Sequence, residues 1–178
     1  KIIPCYYKKD YPEWSDRGDG PGAPVAVHLP NSPVISTGKR DGSKIRLPNG
    51  NYLEETASYF VMVETKTGGF TPALITMKST QLNVSKKWNS MMKTIQIPDG
   101  KGGFAIPPMH GVVYNLASTL QKNDKGSWYG WVVTQDRIMG QDDKALYLSA
   151  KEFAGNVSKG SVQTKADVEE KVSDSTPY

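Results

Sequence analysis

The order of periodic segments limits the fold of this chain more than any bulk property does. A short apolar strand, Ile2 to Tyr7, comes first, and two strands joined by Lys66-Thr67-Gly68-Gly69 follow it. A basic helix comes next, then a second hairpin, Val112 to Gln121 and Ser127 to Gln135, around Lys122-Asn123-Asp124-Lys125-Gly126. Alternating β-branched and aromatic side chains mark strands, whereas a repeat of 100° per residue marks a helix. Three strands, a helix and two strands in that order are the plan of a mainly β, OB-fold-like five-stranded barrel with a helix between strands 3 and 4.

The segments carry this reading individually. Tyr59 to Thr65 is rich in aromatic and β-branched residues, and Pro72, which has no amide proton, belongs at an edge or bulge of the next strand. Ser79 or Thr80 is placed to cap the helix that follows. On that helix Val84, Trp88, Met91, Met92 and Ile95 fall within about 100° of arc, so Trp88 reads as core, while Asn83, Lys86, Asn89 and Lys93 face away. Asp142 to Val157 reads as a C-terminal helix, with Asp142 and Asp143 favourable at its positive end. Gly18 to Pro33, Gly38 to Lys44 and Ile97 to Pro108 read as long loops, the last a mobile one anchored by Phe104 and Ile106. A single domain over 1–157 and a polar, flexible tail over 158–178 are expected.

Composition enters through charge. Up to residue 135 there are 16 Lys and Arg against 10 Asp and Glu, a net of +6, and beyond it 6 against 8, a net of −2. A basic body favours polyanions, because each neutralised phosphate releases counterions. No apolar run approaches the roughly 18 residues of a membrane span, and the N-terminus carries no signal-peptide pattern, so a soluble, intracellular protein is expected. A start at Lys1 rather than Met suggests residues before it. Cys5, the single cysteine, reads as a buried thiol.

Little points to catalysis. His28 and His110 lack metal-ligand spacing and read as surface or structural histidines, and Glu54-Glu55 lacks a third ligand and reads as solvated charge. Gly68-Gly69 and Gly102-Gly103 read as turns rather than phosphate-binding loops. No catalytic residue, metal or cofactor is expected.

Aromatic faces beside ammonium groups are what an unstacked, polyanionic strand needs, with each stacked base contributing about 1–3 kcal/mol. Two such clusters stand out. One is Tyr7, Lys8, Lys9, Tyr11, Trp14 and Arg17; the other joins Lys86, Lys87 and Lys93 of the helix to Lys122, Lys125, Trp128, Tyr129 and Trp131 of the last hairpin. In that hairpin Trp128 and Gly130 share one face and Tyr129 and Trp131 the other, so at least one aromatic is expected to stay exposed.

Four runs, Tyr7 to Arg17, Leu47 to Asn51, Pro72 to Asn89 and Lys122 to Trp131, together resemble a group of tailed-bacteriophage proteins that includes single-stranded DNA-binding-like members with an OB-fold. The resemblance implies a protein that coats single-stranded DNA in phage replication or recombination, without sequence specificity, in the host cytoplasm. The alternative is a virion structural or assembly protein, a capsid decoration or connector component. The end of the chain, Asp174 to Tyr178, is similar in kind to the tips by which replication single-strand-binding proteins recruit partners, which would make phage replication proteins a partner class; a plain disordered terminus is the other reading. Self-association into a homo-oligomer is left open.

Overall fold

The computed structural model describes residues 1–16, 23–124 and 126–162. Strand β1 (Ile2–Trp14) is its spine, and short elements follow: β2 (Ala26–His28), α1 (Val34–Thr37), β3 (Lys39–Asp41), β4 (Lys44–Arg46) and β5 (Tyr52–Glu54). Then come β6 (Thr56–Glu64), β7 (Phe70–Lys78), α2 (Leu82–Thr94), the small pair β8 (Ile97–Pro98) and β9 (Phe104–Ala105), β10 (Val112–Asn123), β11 (Gly126–Ile138) and α3 (Lys144–Ser158). The five long strands lie in the order β7, β6, β1, β10, β11, a curled antiparallel half-barrel of OB-like plan with its helix α2 between the third and fourth long strands. Its open edges are β7 and β11.

Register explains why the central strands carry nearly continuous apolar runs. β1 pairs with β6 from Ile2 opposite Val63 to Asp10 opposite Thr56, with a bulge between Pro4 and Tyr6, and with β10 at Ile2 opposite Tyr114. Alternate residues therefore feed two different cores, so neither face can be polar. Ile2, Tyr59, Val61, Met77, Val112 and Tyr114 pack beneath α2 around Trp88, whereas Ile3, Cys5, Met62 and Val113 pack against Ala150, Phe153 and Leu146 of α3. Cys5 is buried as expected, and that burial pushes its thiol up to about 12.

The helical stripe read from the sequence is the one buried. Trp88 stacks on Tyr59 at 4.3 Å between ring centroids and meets Tyr114 edge-on at 5.6 Å. The Tyr59 hydroxyl donates to the Ser85 carbonyl at 3.1 Å and lies 2.8 Å from the Ser85 hydroxyl, fastening strand to helix. Neither Ser79 nor Thr80 caps α2. Ser79 takes a left-handed φ of 51° at the head of a 3-10 turn, Ser79–Gln81, and Gln81 occupies the cap position without a side-chain cap bond.

Where Gly, Pro and polar residues suggested loops, the chain builds small sheets. β1 does not stop at Tyr7: it continues to Trp14, and β2 and β5 flank its far end through Glu13 opposite Ala26 and Leu53. Tyr11, Ile45, Leu47 and Leu53 form a third core there. The buried Glu13 carboxylate ties the insertion together, accepting from Asn51 Nδ2 at 2.6 Å, His28 Nε2 at 2.7 Å and Asn49 Nδ2 at 3.1 Å. His28 is thus structural, as expected. His110 is half-buried against Tyr147, and that burial, with Lys151 nearby, lowers its pKa. Glu54 and Glu55 are paired rather than merely solvated, with Lys78 at 3.0 Å and Lys9 at 2.7 Å.

Within the segment 97–108, residues 97–105 form a tight hairpin, because the Asp99 carboxylate accepts from the amides of Lys101 at 2.8 Å and Gly103 at 2.9 Å. Phe104 and Ile106 do not anchor it; Phe104 is 70% exposed and Ile106 is exposed as well. The C-terminal helix begins at Lys144, after a 3-10 turn, since Asp143 is engaged by Arg137 and by the Gly140 amide. Among the described residues, no helix is long and apolar enough to cross a membrane.

Two outcomes follow from this packing. Trp88→Ala should destabilise the fold by about 3–5 kcal/mol in urea unfolding, as truncation of a buried aromatic does; a loss below about 1 kcal/mol would mean the stack is not what holds α2. The second concerns acid. Hydrogen bonds from Asn51 and His28 hold the Glu13 carboxyl below its ordinary range. A pKa lowered in the folded state adds stability above the unfolded value and loses it as pH falls through the folded one. Stability should therefore decline below about pH 4.3, and Glu13→Gln should flatten that acid limb; an acid limb of unaltered steepness in the variant would assign it to other carboxylates.

Candidate nucleic-acid interface

Beyond Leu116 and Val133, which still pack on the α2 core, the β10–β11 hairpin runs out past the body of the protein. Leu120 lies opposite Tyr129 and Ser118 opposite Trp131, so these side chains share one face, while Thr119, Gln121, Trp128 and Gly130 share the other. The alternation leaves Tyr129 72% exposed and Trp131 37% exposed, with Trp128 half-buried.

The start of α2 reaches the free edge of β11. Gln81 Oε1 accepts the Trp131 amide at 3.1 Å, satisfying one of the edge donors. Between helix and strand lies a cavity of about 200 Å³ lined by Lys87, Trp88, Gln121, Trp131 and valines of both elements. A second hollow of about 210 Å³ lies along the same strand, where Trp128 stands with Thr80, Asn123, Gly126 and Ser127. Lys86, Lys87, Lys93 and Lys122 are exposed, and among the described residues none of the four forms an ion pair. Their ammonium groups are left to solvent or a ligand.

The cluster expected around β1 is built differently. Tyr7 packs on Tyr59 at 4.9 Å, and Tyr11, 8% exposed, belongs to the third core, so it offers no ring face for stacking. Trp14 is half-buried and its indole nitrogen is enclosed. Lys8 pairs with Asp10 at 3.2 Å and Lys9 with Glu55 at 2.7 Å, which neutralises both on the protein itself. Register also separates the clusters: from the pair Ile2 and Tyr114, β1 runs toward Trp14 while antiparallel β10 runs the opposite way toward Asn123. Arg17, Lys125 and residues 163–178 of the tail lie outside the described residues.

The structure therefore gathers Lys87 and Trp131 at one cavity, sets Trp128 at its neighbour, and places Lys86, Lys93, Lys122 and Tyr129 on the same two elements. Sequence reasoning missed Gln121. Its signal was Gly130, since a glycine inside an aromatic strand marks a place where something approaches closely.

No curated protein and no solved structure matches the chain. Over residues 1–163 it matches the family model described as Pam3 phage gp34-like protein. A match of that extent shows the family: the chain belongs to the Pam3 phage gp34-like proteins, a family of phage proteins.

Proposed function

We propose that this phage protein binds single-stranded DNA without sequence preference, coating it during replication or recombination. The observation that carries the reading is the cavity at an open barrel edge lined by Lys87 and exposed Trp131, on the same two elements as exposed Tyr129 and as Lys86, Lys93 and Lys122, which form no ion pair among the described residues. Each base has a π-face, so stacking on these rings tolerates any sequence and contributes about 1–3 kcal/mol per base. Duplex DNA hides those faces within its stack. The lysines neutralise phosphates, and the binding consumes no nucleotide and uses no metal. Lys8, Lys9 and Tyr11, although named from the sequence, contribute less, because their charges and ring face are engaged within the protein.

A second reading, a virion structural or assembly role, is favoured by a different observation. Val25, Val27 and Leu29 recur at every second position through β2 and the residues that flank it and are all exposed, as are Phe104 on β9 and Ile106 just after it. Such apolar positions suit a protein neighbour rather than a polyanion. Salt separates the two readings, since counterion release weakens DNA binding as salt rises.

Fluorescence polarisation with a poly-dT oligomer across a salt series should show binding tighter than to duplex of equal length. Lys87→Ala combined with Lys122→Ala should make the slope of log affinity against log salt shallower by about one unit or slightly more, at roughly 0.7 per phosphate contact. Both side chains are exposed, so the melting temperature should stay put. Absent binding at low salt, or equal affinity for duplex, would sink the reading.

A further inference from the structure

Gln121 belongs to β10, one strand in from the edge, yet it lines the cavity between β11 and α2. It reaches that cavity across Gly130. A Cβ at position 130 would sit 2.4 Å from Gln121 Nε2 and 2.9 Å from its Oε1, so the side chain occupies space that only a glycine at 130 leaves open. Register agrees: Thr119 pairs with Gly130 and Gln121 with Trp128, which makes Gln121 and Gly130 diagonal neighbours on one face. A side-chain amide carries two donors and an acceptor. Among the described residues, the Gln121 amide bonds to none of them.

We propose that Gln121, delivered over Gly130, reads the Watson–Crick edge of one unpaired base held in the cavity between β11 and α2, with Lys87 on an adjacent phosphate. The inference rests on the single-strand reading and says how that reading discriminates. Every base presents a hydrogen-bond donor and an acceptor side by side on this edge, and an amide turned through half a rotation exchanges its own donor and acceptor. One glutamine therefore satisfies any of the four bases. In a duplex the same edge is occupied by the complementary base, so the residue selects for unpaired strands and against none of the sequences. Ring stacking and the Lys87 charge alone would bind without that selection.

The test compares a thymidine oligomer with an oligomer of N3-methylthymidine of equal length, which keeps ring, backbone and charge but blocks the base edge. The wild-type chain should prefer thymidine by about tenfold, the worth of one well-made buried hydrogen-bonded edge. Gln121→Met should lower thymidine affinity to the N3-methylthymidine level. Gly130→Ala should do the same, since its new methyl displaces only the flexible end of Gln121, and the double variant should fall no further. A melting curve for each variant verifies folding, and Gln121→Met stands alone if Gly130→Ala melts early. Equal wild-type affinity for the two oligomers, or a preference retained in Gln121→Met, overturns the inference while leaving single-strand binding in place. No binding of either oligomer at low salt overturns both.

Discussion

The stack of Trp88 on Tyr59, locked by the bonds from the Tyr59 hydroxyl to Ser85, is the contact on which the rest of the molecule depends. A five-strand OB-like sheet closes by pairing its third and fifth strands, and here β7 and β11 stay apart. α2 fills that position instead, carried there by Trp88, and its first residues reach β11 through Gln81. The arrangement has a cost. Among the described residues the Trp88 indole nitrogen and the Tyr114 hydroxyl are buried without hydrogen-bond partners, each worth about 1–3 kcal/mol in lost solvation. Burial accordingly pushes the Tyr114 phenol up to about 12. Two ring contacts and the apolar area of a whole helix face offset these terms. The cavity beside β11 is thus a product of how the barrel is plugged rather than a feature added to it.

Long-period information was legible in the sequence, and short-range structure fixed by distant partners was not. The five long strands and α2 follow from alternation and from a 3.6-residue stripe, which any window of the chain displays. β2 to β5 escaped because each is three residues long and none shows a period. What holds them is Glu13 bonded to Asn49 and Asn51, 36 and 38 residues away. The same reason explains why the β1 cluster is engaged within the protein. Lys9 looked available in sequence, but Glu55 neutralises it from across the β1–β6 ladder. Exposure of hairpin aromatics was readable from alternation alone, whereas the ring closest to a usable cavity was not, since that depends on where α2 crosses the edge.

Tyr129 and Trp131 are not equivalent despite sharing a face. Tyr129 sits directly opposite Leu120, and such cross-strand pairs stabilise a ladder by about 0.2–1 kcal/mol, so part of its exposed ring serves to hold a hairpin that has no core beneath it. Trp131 lies opposite Ser118, which offers little packing, and it lines the cavity while its amide is held by Gln81. A ring fixed through its backbone is less committed to the ladder than one engaged in holding the strand.

The open seam raises a problem that the sequence solves at both edges. An unpaired strand edge is a template for pairing with another chain. On β7 the edge carries Pro72, opposite Met62, where an amide donor is missing outright. On β11 the Trp131 amide is taken by the Gln81 side chain, and α2 stands over the strand beyond it. Both devices remove hydrogen-bond capacity from the edge without adding a strand, so the half-barrel keeps its gap along β11 while resisting strand addition by a second copy. A fully closed barrel would protect its edges equally well, yet it would leave no gap between strand and helix for Gln121 and Lys87 to line.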